Sequence, residues 1–314
     1  MPVKLPLPTS PAANIRSLLP TSSTSGGCTL VYASHARWPL PRQSTSEPPK
    51  ALLQISVVDS SFNPPHAAHL ALAQHGQHDA HLLALTIANP DKGSIDEDAV
   101  TTRLEMMRAV AKDLERRATA PDGRPEWGNV AVAVLQAPTF VQKSEMLRKD
   151  LDALAQTQSG NESVTVRLTF GVGQLFRDDK NADEALTSAP LPPGYDTLIR
   201  IFAPRYYQSP NPDLHSSMEA LLARDDSRIA CARRGDVAPA DERAFLASDE
   251  VREWAERGKI DMFDIPDAQV QGISSTAIRA AAGEGRWDDV TRSVPIPGVV
   301  EIMRSKQLYR RGDR

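Results

Sequence analysis

From Ala51 onward, short apolar runs of β type alternate with stretches of helical spacing, and that alternation constrains the fold more than any other feature of the chain. Residues 52–58 (LLQISVV) read as a buried first strand and residues 66–75 as the helix after it. Residues 81–88 read as a second strand, followed by a loop over 89–93. Ser94 with Glu97 predicts a capping box, after which Val100, Leu104, Met107, Val110 and Leu114 recur at helical spacing. Further strands are expected at 130–135, 164–170, 228–232 and 261–265. Strands separated by helices must run parallel, so the expected class is α/β, a doubly wound parallel sheet whose ligand sits beyond the carboxyl ends of its strands.

Residues 1–50 differ in character: they are dense in Pro, Ser and Thr and hold one acid, Glu47. They read as a partly disordered extension ahead of a domain spanning 51–314. The prolines at 2, 6, 8 and 11 interrupt the amphipathic helix that an organellar leader needs, so a cytoplasmic or nuclear location is expected over a mitochondrial one. Within the extension, residues 29–32 (TLVY) can pair as an edge strand before Trp38-Pro39 breaks the run.

Charge and composition remove several classes of function. Lys and Arg number 36 against 40 Asp and Glu, a formal charge of -4, and aromatics are 5% of the chain, which disfavours a nucleic-acid binder. The 2 cysteines, Cys28 and Cys231, lie too far apart in sequence to suggest a disulfide framework or a cysteine zinc site. No apolar run approaches the ~20 residues that cross a bilayer. No G-x-G-x-x-G follows Val58, which disfavours a nicotinamide-dependent dehydrogenase.

The densest chemistry follows the first strand: Ser60, Ser61, Phe62, Asn63, Pro64, Pro65, His66 and His69. Two prolines stop the strand and pre-set the first helical turn, leaving free N–H groups and the positive helix end at the strand's exit, where anions bind. His66 and His69, three apart, share one face of that turn and can donate to phosphate oxygens. Two surface histidines on a small-residue helix is the plainer alternative; zinc would need a third ligand, and none is close in sequence. The second cluster, Ser274, Ser275, Thr276 and Arg279, sits where a helix must begin. Such hydroxyls suit ordinary helix capping, but Arg279, one turn in, can reach back over the helix start and grip a polyphosphate with them.

Taken together, Ser61-Phe62-Asn63-Pro64-Pro65-His66 through His69 and Ile273-Ser274-Ser275-Thr276 with Arg279 resemble the paired signatures of nucleotidylyltransferases. Their order and separation resemble nicotinamide mononucleotide adenylyltransferases, closest to the fungal adenylyltransferase-like branch, over roughly residues 51–314. The resemblance implies a Rossmann-like nucleotidylyltransferase fold and adenylyl transfer from ATP, with Mg²⁺ bridging its phosphates, to nicotinamide mononucleotide. It also implies that His66, His69 and Arg279 are catalytic. Ser60, Ser61, Phe62, Asn63, Lys92, Ser274, Ser275 and Thr276 would bind ATP and its phosphates, and Arg103, Asp196 and Thr197 would face the acceptor. Lys92 can equally be a solvated loop lysine. No protein-held metal is implied.

The chain departs from the family at several points. Ser60 stands where the signature usually begins with Gly, and where many relatives stack the nicotinamide ring on a tryptophan the comparable stretch ends in Phe140, the candidate substitute, with Trp127 read as core or rim. Residues 174–194 read as an insertion, because joining Gly173 to Tyr195 closely restores the uninterrupted family motif. It is either a lineage-specific lid or an unremoved intron, with the second preferred. Other phosphate acceptors, ATP hydrolysis and a nucleotide-binding regulatory protein without turnover are the alternatives to the main reading.

Overall fold

The structure, a computed structural model, describes residues 27–42, 50–89, 93–94, 96–172, 196–207, 212–233, 238–265 and 273–310. Among them, seven strands form one sheet. In chain order the strands are β1 (Cys28–Ala33), β2 (Leu52–Asp59), β3 (Ala80–Thr86), the two-residue pair β4 (Ala88–Asn89) and β5 (Gly93–Ser94), β6 (Val130–Leu135), β7 (Thr165–Val172), β8 (Arg228–Arg233) and β9 (Ile260–Asp264). The sheet order is β1-β6-β3-β2-β7-β8-β9, and every pairing from β6 to β9 is parallel. Only β1, the run anticipated at 29–32, is antiparallel, capping the β6 edge with a register shift between Leu30 and Tyr32.

The helices are α1 (Ala67–Gln74), α2 (Glu97–Ala118), α3 (Phe140–Ser159), α4 (Asp196–Ile201), α5 (Leu214–Met218), α6 (Pro239–Leu246), α7 (Arg252–Glu256), α8 (Ser275–Gly283), α9 (Trp287–Ser293) and α10 (Pro297–Ser305). Side-chain alternation along the strands divides the core into two layers. Leu53, Ile55, Val57 and Leu82 face Leu147, Leu151 and Trp254 on one side. Val58, Leu83, Leu85, Val132 and Val134 face Leu70, Leu104, Met107, Ile278 and Val299 on the other. Because both faces are covered, β2, β3 and β6 are almost wholly apolar, as buried parallel strands must be.

Two local expectations are corrected. The cap of α2 is Asp96, whose carboxylate accepts from the N–H groups of Asp98 and Ala99 at 3.1 Å, while Ser94 pairs as a strand residue in β5. An ionised carboxylate at a helix start outcompetes a hydroxyl, since it accepts more strongly and meets the helix dipole. Pro64 and Pro65 lie ahead of α1, outside its first turn, and the Asn63-Pro64 peptide is cis. Extended His66, at φ -151°, is the N-cap.

The chain steps from β2 outward to β3 and β6, then crosses back to place β7 on the other side of β2. Strand order reverses there, so the crevice outside the carboxyl end of β2 is where this architecture binds ligands. Residues 60–66 fill its rim.

Candidate functional site

The loop from β2 to α1 is held rigidly. Ser60 N–H donates to Ala84 O at 3.2 Å, tying the loop to β3. Phe62 adopts φ 45° and buries its ring completely, 4.8 Å from the His69 ring. Phe62 therefore supports a histidine from behind, with its ring buried in the core. Ser61 is exposed, and Ser60 and Asn63 are half-buried.

His66 and His69 come together as the spacing predicts, with ring centroids 4.0 Å apart. His69 Nδ1 accepts from the His66 main-chain N–H at 3.1 Å, so a neutral His69 ring carries its proton on Nε2 and donates to Ser60 Oγ at 2.9 Å. His66 is different. It is only 4% exposed, and neither ring nitrogen has a hydrogen-bond partner. Burial drives its pKa well below the ordinary histidine value, and neighbouring His69 pushes the same way. Burial likewise holds His69 down at about 4. Both rings are neutral in the free protein at neutral pH, and a buried imidazole left without partners is costly unless something completes it.

The second cluster folds onto the first. Ser274 caps α8, accepting from Ala277 N–H at 3.1 Å, which is the ordinary capping role foreseen for it. Ser275 and Arg279 instead cross to the loop. Ser275 Oγ donates to Pro64 O at 3.0 Å, and Arg279 Nη1 donates to Asn63 O at 2.8 Å while Nη2 donates to Thr276 Oγ1 at 3.1 Å. Arg103, on α2, is half-buried; burial lowers its pKa, the Tyr309 phenol opposes that shift and the Arg279 charge adds to it. Two guanidinium groups thus act on each other, one of them bonded to Asn63 of the motif loop, an arrangement that suits a polyanion.

Other expected residues fall elsewhere or outside the described positions. Lys92 and residues 174–194 lie outside them, as does the side chain of Asp196, which opens α4. Thr197 is half-buried on α4. Phe140 packs edge-to-face on core Phe170, centroids 5.5 Å apart. Trp127 lies in the 3₁₀ turn Pro125–Gly128 ahead of β6, at the end of the sheet opposite the loop. Among the described residues no group of three His, Cys, Asp or Glu could hold a metal, and no helix is long and apolar enough to cross a membrane.

Two features were not read from sequence. At the carboxyl end of β2, Asp59 accepts from Thr86 Oγ1 at 2.8 Å and from Lys143 Nζ at 2.5 Å, and the two charged side chains are only 8% and 6% exposed. Tyr309, beyond the last helix, donates from its hydroxyl to Asn63 Oδ1 at 2.7 Å. Asp59 heads the motif, which marks its position; Lys143 and Tyr309 carry no local signal.

A parallel sheet with a strand-end loop, paired histidines and a crossing Arg-hydroxyl helix together make one candidate anion-binding cleft. Over 269 residues the chain is 28% identical to a Schizosaccharomyces pombe protein provisionally named a nicotinamide mononucleotide adenylyltransferase, covering 82% of this chain and 86% of that one. That likeness is a distant one. No family model matches the chain. Among solved structures, Plasmodium falciparum nicotinic acid mononucleotide adenylyltransferase complexed with NaAD aligns at TM-score 0.46 and 13% identity, covering 82% of this chain and 97% of that one. Thermotoga maritima TmcAL bound with alpha-thio ATP aligns at TM-score 0.36 and 15% identity, covering 81% and 56%.

Proposed function

We propose that this site binds MgATP through its phosphates and transfers the adenylyl group to nicotinamide mononucleotide, giving NAD and pyrophosphate. The observation that carries the reading is His66: a buried ring with both nitrogens unpartnered, at a helix start, in the crevice where strand order reverses. A phosphate oxygen supplies the missing partner. The name of the Schizosaccharomyces pombe relative supports the choice of acceptor.

In the proposed reaction an acceptor phosphate oxygen attacks the α-phosphorus of ATP, the bond to the β-phosphate oxygen breaks, and the electron pair leaves with pyrophosphate. No enzyme atom forms a covalent bond. The chain's contribution is positioning and charge stabilisation. His66 donates to an oxygen of the reacting phosphoryl group, His69 supports it by fixing the His66 main chain and Ser60, and Arg279 with Ser274, Ser275 and Thr276 holds the β- and γ-phosphates. Ser60, Ser61 and Asn63 frame the phosphates through the loop, and Lys92 is assigned to the ATP phosphates as a further cation. Arg103, Asp196 and Thr197 are assigned to the acceptor. Mg²⁺ enters with ATP as part of the substrate.

A pyrophosphate-release assay with MgATP, run with and without nicotinamide mononucleotide, tests this reading. Acceptor-dependent pyrophosphate is expected. Acceptor-independent release of inorganic phosphate with ADP would replace the reading with hydrolysis.

A further inference from the structure

We propose that Tyr309 is a positioning residue: the turn after α10 latches the β2-α1 loop and sets Asn63 for the incoming nucleotide, an inference that rests on the nucleotide reading above for its ligand.

The turn is built for this contact. Gln307 and Tyr309 adopt φ 55° and 66°, a region that residues other than glycine seldom occupy, so the turn follows a path its own local preferences do not favour. It is seated on α8, the helix of Arg279, because a Cβ at Gly283 would stand 2.7 Å from the Tyr309 carbonyl oxygen; only glycine leaves that room. It is also tied to α2, the helix of Arg103, by an ion pair between Lys306 and Glu105. These anchors bring the Tyr309 hydroxyl to Asn63 Oδ1 at 2.7 Å.

Asn63 is held twice, by Tyr309 at its side chain and by Arg279 at its main-chain oxygen. With Oδ1 engaged, the amide nitrogen is the donor Asn63 has left to offer a ligand. Burial pushes the Tyr309 phenol up to about 12, despite the lowering charges of Arg279 and Arg103, so the hydroxyl remains a donor across the physiological range. Removing that one bond frees Asn63 to rotate and lets a loop that includes Phe62 at φ 45° relax. Ground-state phosphate binding then suffers before the chemical step does.

The experiment compares wild type with Tyr309→Phe, Asn63→Ala and the double variant, measuring the MgATP dissociation constant, the KM-against-kcat split and amide exchange of residues 60–66. Tyr309→Phe keeps the ring and should preserve the melting temperature. It should weaken MgATP binding about three- to tenfold, the range of one hydrogen bond, and raise KM more than it lowers kcat. Because Tyr309 acts through Asn63, the double variant should match Asn63→Ala alone. Additive losses, or unchanged binding in Tyr309→Phe, would overturn the latch. If wild type binds no MgATP, the nucleotide reading fails separately, and the latch is then decided by exchange: faster exchange of 60–66 in Tyr309→Phe upholds it, and unchanged exchange refutes it.

Discussion

Arg279 Nη1 reaches Asn63 O at 2.8 Å across 216 residues of sequence, joining the two motifs into one body before any ligand arrives. Arg279 therefore has two duties, bracing the loop and offering its remaining donors outward. Arg279→Ala should raise the dissociation constant for MgATP about 10- to 100-fold, the scale of a charge-assisted contact. Arg279→Lys should not restore it, because one ammonium cannot bridge Asn63 and Thr276 while facing a phosphate. Titration calorimetry on both variants decides this; unchanged affinity in Arg279→Ala would return Ser274, Ser275 and Thr276 to helix capping alone.

His66→Ala separates chemistry from folding. If His66 donates to the transferring phosphoryl group, turnover should fall by roughly two to three orders of magnitude, as for other preorganised donors. Unfolding free energy should change by only about 1–2 kcal/mol, because the packing lost against His69 is offset by removing buried nitrogens that have no hydrogen-bond partner. Near-normal turnover would leave the pair as structural histidines.

Acid should unfold this protein early. His66, His69, His78 and His81 are all buried, and burial lowers each pKa, His69 to about 4 and His81 to about 3. Above the ordinary value of 6.5 both folded and unfolded forms are neutral and stability is flat in these groups. Below it the unfolded chain takes up protons that the folded chain refuses, so stability falls as pH falls, by up to about 1.4 kcal/mol per pH unit for each histidine. Urea unfolding between pH 7.5 and pH 5 should show this slope, and His81→Leu should flatten it. A flat profile would contradict the burial of these rings.

The Asp59 and Lys143 pair spans two elements at the cleft floor. Lys143→Met should destabilise the fold by about 3–5 kcal/mol, because it strands a buried carboxylate. Adding Asp59→Asn should recover part of that loss, an interaction that thermal or chemical unfolding of the three variants will read. Additive effects would mean that the pair carries no coupling.

The sheet was legible because parallel strands covered on both faces must be apolar runs; residues 130–135 (VAVAVL) leave little else to be. The paired motifs were legible because imidazole and hydroxyl side chains cluster next to helix starts, as at His66 and Ser274. The α2 cap was misplaced by two residues because Ser94 and Asp96 are both competent acceptors, and only the local hydrogen bonding chooses between them. The direction of the Phe62 ring was not legible, because a motif says which residues matter without saying which way each side chain points. Lys143 and Tyr309 were invisible: their partners, Asp59 and Asn63, lie 84 and 246 residues away, and no local pattern announces a contact made by folding alone.

The most direct test of the central claim is the identity of the product. Purified full-length protein is incubated with MgATP and, separately, nicotinamide mononucleotide, nicotinic acid mononucleotide and other phosphomonoester acceptors, and the products are read by mass. The account predicts a dinucleotide with the summed mass of ATP and nicotinamide mononucleotide less pyrophosphate, formed one for one with pyrophosphate and abolished in His66→Ala. Bound MgATP with no joined product for any acceptor, or ADP and phosphate in its place, would contradict it.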